Sequence, residues 1–240
     1  MEEKIEQLKE LVEKSQKIVF FGGAGVSTES GIPDFRSVDG LYNQKWAYPP
    51  EIILSATFFH SNPKEFYRFY REKLLVSGIK PNITHFKLAE LEKQGKLLAV
   101  VTQNIDGLHQ KAGSIKVYEL HGSIHRNYCM ECGKFFDADY IKKSSGVPKC
   151  TCGGIIKPDV VLYEEGLDNE ILNNSINSIA HCDTLIIGGT SLNVYPAASL
   201  IQYFRGDNLV LINKSPTSAD RIANLRLNGN IGEIFSQIKV

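Results

Sequence analysis

Short apolar segments alternate with longer segments of helical periodicity along this chain. The apolar segments are rich in β-branched residues and have almost no polar positions, as in parallel strands that are covered on both faces. This alternation is typical of an α/β fold with an open, doubly wound, mostly parallel and Rossmann-like sheet, which binds its ligand beyond the carboxyl ends of the strands. The predicted strands are 17–21, 97–102, 117–120, 184–188 and 209–213.

Local start signals predict helices between these strands. Asn62, Pro63 and Glu65 form a capping pattern, which predicts a helix through about residue 76 with the Glu65 side chain reaching back to the cap. A second helix is predicted over residues 82–94. The residues expected to face inward on this second helix are Phe86, Leu88, Ala89 and Leu91.

Two segments interrupt the alternation and predict a second, smaller domain. Residues 37–76 are rich in aromatic side chains, and we expect them to form a helical insertion of the small domain. Residues 125–156 are polar and contain four of the cysteines, as expected of a small module that needs a metal to fold. The large sheet domain is then expected to consist of residues 1–36, 77–124 and 157–240.

The four paired cysteines have the spacing of a zinc ribbon. Cys129 and Cys132 are followed after seventeen residues by Cys150 and Cys152, a second pair with one intervening residue where two are usual. Four thiolates would close the coordination shell of one structural zinc ion, and the alternative is a set of reduced, buried cysteines. The fifth cysteine, Cys182, is expected to be buried outside this site.

Composition and charge exclude several classes of protein. The chain has 240 residues and a formal net charge of zero, so no overall field attracts it to nucleic acid or to an anionic membrane. No apolar segment approaches the roughly 20 residues that cross a bilayer, and the acidic amino terminus does not look like a signal peptide. Clustered cysteines favour metal binding in a reducing compartment. We therefore expect a cytoplasmic protein with no membrane partner and no sequence-encoded nucleic-acid binding.

A glycine-rich segment follows the first predicted strand. Residues 22–27 read Gly-Gly-Ala-Gly-Val-Ser, a composition that lets backbone N–H groups approach a phosphate at the start of a following helix. The dinucleotide fingerprint fits only in part, because Thr28 stands where a third glycine is expected, and an ordinary turn is the alternative.

A second group of motifs makes the chain resemble the sirtuin family. Residues 102–109 read Thr-Gln-Asn-Ile-Asp-Gly-Leu-His, followed by Ala112-Gly113, then His121-Gly122 and the four cysteines. These motifs occur in the family's order, and the resemblance extends from about residue 17 to residue 213. It implies a bacterial-type NAD-dependent protein deacetylase, which consumes NAD, binds one structural zinc and releases nicotinamide and O-acetyl-ADP-ribose.

The resemblance also implies roles for the catalytic loop. His121 would be the general base that deprotonates a ribose hydroxyl, and a pKa near 6.5 suits that role at neutral pH. Ile105 and Asp106 would form the nicotinamide pocket, with Asp106 accepting from the carboxamide. Gln103 and Asn104 would bind ribose hydroxyls or an ordered water. A histidine in such a position is otherwise more often structural, the role expected for the competing His109 and His125.

Further cofactor contacts are implied in the same way. The family's diphosphate loop is matched by Ala24, Gly25, Ser27 and Thr28, its charged arginine by Arg36, and the phenylalanine that shields the reactive face by Phe35. The second ribose loop is matched by Thr190 and Ser191, the adenosine-ribose contact by Asn213 and the adenine contact by Ile231.

The substrate segment carries the main departures from the family pattern. Val161, Leu162 and Tyr163 match the segment that pairs with an extended acyl-lysine peptide, a mode with little sequence selectivity. Lys157 replaces a usual arginine, and Glu164 replaces a usual glycine. These departures bear on peptide preference and leave the chemistry unchanged.

Acyl preference and reaction type leave alternatives open. Tyr70 and Lys73 match the tyrosine and arginine of the branch that removes succinyl and malonyl groups, but lysine lacks the planar fork of arginine. We predict that acetyl-lysine is preferred over longer or acidic acyl groups. Protein mono-ADP-ribosyl transfer at the same site and a zinc-ribbon module that senses NAD without turnover are the other hypotheses.

Overall fold

The computed structural model describes residues 1–34, 40 and 46–239. Its strands fall into a six-stranded sheet and a three-stranded sheet. They are β1 (Ile18–Gly22), β2 (Leu97–Thr102), β3 (Val117–Glu119), β4 (Gly122–Cys129), β5 (Phe135–Phe136), β6 (Ile156–Val160), β7 (Thr184–Gly188), β8 (Asn208–Asn213) and β9 (Leu225–Asn228).

The larger sheet has the strand order β3-β2-β1-β7-β8-β9, and every neighbouring pair in it is parallel. The chain therefore proceeds from β1 outward in one direction and then returns to the other side, so the sheet is doubly wound. All five predicted strands are confirmed within one or two residues at their ends. The short strand β9 was not predicted, because its alternating buried and exposed residues lack the continuous apolar character of the others.

Helices cover both faces of this sheet, and others pack against the three-stranded sheet. They are α1 (Glu2–Lys14), α2 (Pro50–Ile53), α3 (Ala56–Ser61), α4 (Pro63–Lys73), α5 (Ile83–Lys93), α6 (Leu108–Ala112), α7 (Ala138–Lys143), α8 (Asn169–His181) and α9 (Ile231–Phe235). Short 3-10 helices occur at Ala24–Val26, Thr28–Ser30, Ala197–Tyr203 and Ser218–Arg221.

The two helix predictions are confirmed in position and corrected in detail. Asn62 caps α4 and Asn82 caps α5, as the start signals predict. The Glu65 side chain does not reach back to the cap, because Arg68 and the Trp46 indole donate to its carboxylate instead. Phe86 is also not inward: 45% of its surface is exposed, because α5 turns a narrower face to the sheet than the apolar pattern suggests.

Two apolar clusters lie on opposite faces of the six-stranded sheet. Alternate residues of each strand point to opposite faces, so Phe20 of β1 packs with α1, α5 and α9 in one cluster, whereas Phe21 packs with α8 in the other. All five residues of β1 are buried, and so are all five of β7. This double coverage explains the continuous apolar segments of the sequence.

The small domain has an apolar cluster of its own. Its three-stranded sheet is antiparallel, with the order β5-β4-β6. Residues of α2, α3 and α4 pack in one cluster with residues of β4, β6 and α7, so the aromatic insertion and the cysteine-rich module share a core. Among the described residues, no helix is long and apolar enough to cross a membrane.

Candidate active site

The loops that follow β1 and β7 pack tightly against each other at the carboxyl edge of the sheet. The Gly25 amide donates to the Gly189 carbonyl at 2.8 Å. A Cβ atom at Gly25 would lie 2.8 Å from that oxygen, so only glycine fits there. The loop after β1 continues as two 3-10 turns, Ala24–Val26 and Thr28–Ser30, and not as the start of an α-helix. The expectation of a helix N-terminus directly after this loop is therefore wrong, and two short 3-10 turns stand in its place.

A chain of hydrogen bonds joins the loop after β1 to the loop after β2. Ser27 Oγ donates to Asp106 Oδ2 at 2.6 Å, and Asn104 Nδ2 donates to Ser27 Oγ at 3.0 Å. The other Asp106 oxygen accepts the Leu108 amide at 2.9 Å, which begins α6. Ser27 and Asn104 are buried. The Ser27 hydroxyl therefore donates to Asp106, and Ile105 stands in the chain between Asn104 and Asp106, the two residues that bond to Ser27.

Thr190 connects the remaining loops of this edge. Gln103 Nε2 donates to its hydroxyl at 2.9 Å, and Asn213 Nδ2 donates to its carbonyl at 3.0 Å. Side chains from the ends of β2, β7 and β8 are therefore brought together by one residue. Ser191 is next in the chain and half-buried.

Three other predicted cofactor residues have different surroundings. Thr28 donates its hydroxyl to the Gly25 carbonyl at 3.0 Å, within the loop after β1. Ile231 begins α9, is buried in an apolar cluster of the sheet and packs against Gly188. Phe35 and Arg36 lie outside the described residues.

His121 stands directly beyond β3, where the sequence places it. Its Nδ1 lies 3.0 Å from the Gln103 carbonyl oxygen, which can only accept, so Nδ1 carries the proton, and Nε2 of the neutral ring is an acceptor with no hydrogen-bond partner among the described residues. Burial lowers the pKa of His121, and the Gln103 carbonyl partly opposes this shift. The ring is therefore neutral at neutral pH, with a pKa below the ordinary value that its sequence position suggests.

The predicted substrate segment, residues 161–163, is held beside His121. The Val161 amide donates to the His121 carbonyl at 3.0 Å, and Tyr163 pairs with the chain before α3 through its amide and its carbonyl. Leu162 is buried. The segment is therefore extended and held at both ends.

Both residues that depart from the family pattern here, Lys157 and Glu164, have specific polar partners. Lys157 forms an ion pair with Glu165 at 3.1 Å, and the same carboxylate accepts the Leu162 amide at 2.9 Å. Glu164 has a φ of 78°, in the left-handed region where glycine is usual. Its carboxylate accepts the Thr57 amide at 2.8 Å, and hydrogen bonds from Thr57 lower its pKa.

Tyr70 and Lys73 lie on α4, in the aromatic cluster of the small domain. The Tyr70 ring is fully buried and stacks on Phe66, and burial raises the pKa of its hydroxyl, which has no partner among the described residues. Lys73 pairs with Glu72 at 3.2 Å, and its ammonium lies 5.6 Å from the centre of the Trp46 ring. The lysine charge is thus already partnered.

The four predicted zinc ligands converge on one point. Their Sγ atoms all lie within 4.8 Å of one another, and the Cys129–Cys152 and Cys132–Cys150 pairs are 3.4 and 3.7 Å apart. A tetrahedral zinc with Zn–S bonds of about 2.3 Å requires sulfur atoms about 3.8 Å apart, so the four thiols fit this metal. Backbone N–H groups of Cys132 and Cys152 lower the pKa of Cys129 and Cys150, the latter to about 6, which favours the thiolate form of these two ligands. The Gly154 backbone acts in the same direction on Cys152, but hydrogen bonds to the other three thiols outweigh it and raise the pKa of Cys152 to about 12.

The short second cysteine pair is accommodated by glycine. A Cβ atom at Gly154 would lie 2.7 Å from Cys129 Sγ, so this position must lack a side chain. Cys182 is 3% exposed and outside the cluster, and burial raises its pKa to about 12. The prediction of a buried fifth cysteine is confirmed.

Two residues contact the candidate site through bonds that local sequence does not indicate. His125 of β4, which we expected to be structural, has Nε2 3.0 Å from the Asp106 carbonyl. Asn82, marked by sequence only as the start of a helix, bonds to the loop after β1. Both contacts depend on how distant segments pack, and no spacing in the chain indicates them.

Comparisons with known proteins agree with this architecture. The model of the Sir2 family matches residues 23–196. An NAD-dependent protein deacetylase of Clostridium acetobutylicum is 60% identical over 240 residues, which cover 98% of each chain. A solved structure of Sir2 with a deacetylated p53 peptide and 3'-O-acetyl-ADP-ribose has a TM-score of 0.90 at 40% identity, over 97% of this chain and 96% of that chain. A Sir2 structure with a p53 peptide and NAD+ has a TM-score of 0.85 at 40% identity, with the same coverage.

The fold and the site define a doubly wound α/β protein with a four-cysteine module and a polar cluster at the carboxyl edge of its sheet. The chain belongs to the Sir2 family, as the family model and its near full-length relatives show. The sirtuin resemblance drawn from the sequence motifs is confirmed.

Proposed function

We infer that this protein is an NAD-dependent protein deacetylase that transfers the acetyl group of acetyl-lysine to ADP-ribose. The products are deacetylated lysine, nicotinamide and O-acetyl-ADP-ribose. The observation that carries this proposal is the neutral His121 ring, whose protonated Nδ1 faces the Gln103 carbonyl and whose Nε2 is left as an acceptor, in a residue whose backbone carbonyl binds the Val161 amide. The relatives named above, which share nearly the whole length of the chain, support the same activity.

The residues present fit NAD as the co-substrate. Bound NAD supplies an electrophilic ribose carbon with nicotinamide as its leaving group. We propose that Ala24, Gly25 and Thr28 surround the diphosphate, because they lie in the short turns after β1 at the carboxyl edge of the sheet, where glycine at position 25 permits a close approach of the backbone. The loop of Thr190 and Ser191 and the Asn213 side chain would bind the second ribose. Of the matching positions, Ile231 has the weakest support, because it is already buried in the sheet core.

We propose that Asp106 binds the nicotinamide carboxamide. A carboxylate has about four acceptor positions, and the Ser27 hydroxyl and the Leu108 amide occupy one on each oxygen. Acceptor capacity therefore remains for an amide donor beside Ile105. Ser27 would act by orienting this carboxylate. The roles of Phe35 in shielding the reactive face and of Arg36 in charge compensation remain proposals from the family resemblance.

We propose that His121 is the general base of the reaction. Its Nε2 would accept a proton from a ribose hydroxyl, while the Gln103 carbonyl holds the Nδ1 proton in place. Asn104 and Gln103 would orient the ribose hydroxyls or a water between the loops. Because burial lowers the pKa of His121, the acid limb of kcat/KM should lie below pH 6.5.

The acetylated substrate is proposed to bind as an extended peptide along residues 161–163. Main-chain pairing of this kind selects backbone shape more than side chains. The zinc ion would hold β4 and β6 together, so that Val161 stays beside His121, and would take no part in the chemistry. We keep the division into a sheet domain, a helical insertion and a zinc-ribbon module as a proposal. A cytoplasmic location is proposed because clustered thiols suit a reducing compartment.

Product analysis tests the function and its alternatives together. Acetylated and succinylated forms of one peptide are incubated with the protein and NAD, and products are identified by mass spectrometry. We expect deacetylated peptide and free O-acetyl-ADP-ribose, with a higher kcat/KM for the acetyl peptide because Lys73 is already paired with Glu72. ADP-ribose attached to a protein would indicate ADP-ribosyl transfer instead. A preference for succinyl would show that Lys73 anchors a carboxylate, and Lys73→Ala should then abolish it.

The role of His121 has its own test. His121→Ala should lower kcat by about 10²- to 10⁴-fold, as expected for loss of a general base. The matched control is His181→Ala, which removes an exposed histidine of α8 that contacts only the carbonyl of Asn177 among the described residues. Near-normal turnover by a folded His121→Ala variant would refute the assignment.

A further inference from the structure

Asn82 connects the start of α5 to the loop after β1. Its Nδ2 donates to the Val26 carbonyl at 2.7 Å and to Ser30 Oγ at 3.0 Å. Its Oδ1 accepts the Thr84 amide at 3.0 Å, which is the ordinary bond of a helix N-cap. One amide therefore caps a helix with its oxygen and binds the loop with its nitrogen.

The orientation of the Asn82 amide is determined by its partners. The Val26 carbonyl can only accept, and the Thr84 amide can only donate, so exchange of the amide oxygen and nitrogen would lose both bonds. The fully buried His85 ring lies beside them, with Nδ1 3.0 Å from Asn82 Oδ1 and 3.2 Å from the Asn82 backbone nitrogen. Either neutral tautomer of His85 thus makes a hydrogen bond to Asn82.

The loop that Asn82 binds is held in place by several neighbouring elements. Its turns are 3-10 helices of three residues each, and its amide at Gly25 bonds to the loop after β7. Ser27, which lies in sequence between the two partners of Asn82, bonds to Asp106 of the loop after β2, and the Glu29 carboxylate accepts the Gly232 amide of α9 at 2.7 Å. Asn82 adds the contact between this loop and α5.

We propose that Asn82 is a positioning residue for NAD, which holds the loop of residues 24–30 in the geometry that the diphosphate needs. This inference rests on the proposed role of that loop in NAD binding. Asn82 need not touch the cofactor, since its two donors act on Val26 and Ser30. Loss of these donors should weaken NAD binding while the chemical step and the peptide site stay intact.

The chain offers a matched comparison in Asn62. This residue caps α4 in the same way, by accepting the Glu65 amide at 3.4 Å, but α4 belongs to the small domain and lies away from the loop after β1. Substitution of either asparagine by aspartate keeps an oxygen that can cap the helix and replaces the NH₂ donor by a second acceptor. The change isolates the donor function at residue 82.

The experiment compares Asn82→Asp, Asn62→Asp and the unchanged protein by calorimetric NAD titration, steady-state kinetics and hydrogen exchange without NAD. For Asn82→Asp we expect the NAD dissociation constant and KM to rise about tenfold, because the bond to the Val26 carbonyl is lost and a carboxylate faces that oxygen, although the Ser30 hydroxyl can turn to donate to the new carboxylate. The peptide KM and kcat at saturating NAD should change less than twofold. Exchange in residues 24–31 should be faster even without NAD.

Equal NAD affinity of Asn82→Asp and the unchanged protein would overturn this inference and leave the proposed function intact. Equal weakening by Asn62→Asp would also overturn it, since the effect would then belong to helix capping. Failure of the unchanged protein to bind NAD would instead contradict the proposed function. If Asn82→Asp does not fold, Ser30→Ala, which removes one of the two acceptors, should raise the NAD dissociation constant two- to threefold, and no change would count against the proposal.

Discussion

The six-stranded sheet and the zinc module are stabilised by different means. The sheet buries every residue of β1 and β7 between two layers of helices. The module leaves outer side chains of its small sheet exposed, with Phe135 52% and Tyr128 39% accessible, and it brings four thiols to one point. Its inner face nevertheless packs on α4, so its apolar contacts lie on one side only. The six-stranded sheet therefore has an apolar core on both faces, whereas the module combines an apolar contact on one face with four thiols that could hold one metal ion.

Loss of zinc should have the largest effect, and this effect should be confined to the module and spare the six-stranded sheet. Structural zinc contributes about 10 to 16 kcal/mol of binding free energy in small modules, so Cys132→Ser should lose the metal and the order of β4 and β6. Activity should fall to background, because these strands hold Val161 beside His121. Zinc content and hydrogen exchange measure the result, with the sheet strands expected to stay protected.

Cys182→Ser is the matched control, since this buried cysteine lies outside the cluster. It should keep one zinc per chain. A Cys132→Ser protein with full zinc content and normal exchange in β4 would show that the metal does not determine the module's fold.

A cavity in the six-stranded sheet should lower the stability of the protein and leave its zinc content unchanged. Ile186→Ala removes a fully buried side chain of β7, and we expect a loss of about 2 to 5 kcal/mol in the free energy of unfolding. Zinc content should stay at one per chain, because the cavity lies in a different apolar cluster. Denaturant unfolding and metal analysis test this. Ile222→Ala, at a 60% exposed position, should change stability by less than about 0.5 kcal/mol.

Acid should lower the stability of the sheet domain through the buried His85. Burial lowers the pKa of His85 to about 4, against the opposing effect of Asp106. Between pH about 6.5 and 4 the unfolded chain therefore binds the proton that the folded protein excludes, so stability falls as the pH falls, by up to about 3 to 4 kcal/mol from this group.

The His85 contribution can be separated from acid release of zinc. Unfolding free energies of the unchanged protein and of His85→Gln are measured at several pH values across this window, and only the difference in slope is compared. The variant should lose less stability on acidification. Parallel curves for the two proteins would mean that His85 does not titrate differently on folding.

Local patterns predicted the elements of the sheet better than they predicted side-chain directions. The strands are confirmed because segments buried on both faces are apolar at almost every position. The predictions of an inward Phe86 and of a Glu65 side chain that reaches back to the helix cap were wrong for the same reason. Periodicity and capping signals describe one helix, whereas the orientation of Phe86 and the partners of Glu65 depend on neighbouring elements.

The sequence by itself determined the α/β class, the four thiols of the metal site and the family, since each depends on residue types at short spacing. Only the tertiary structure decided how the candidate site is joined. The Ser27–Asp106, Asn82–Val26 and Gln103–Thr190 contacts span 79, 56 and 87 residues. Partners so far apart in sequence meet because the strand order places the ends of β2, β1 and β7 side by side, and no local pattern encodes that order.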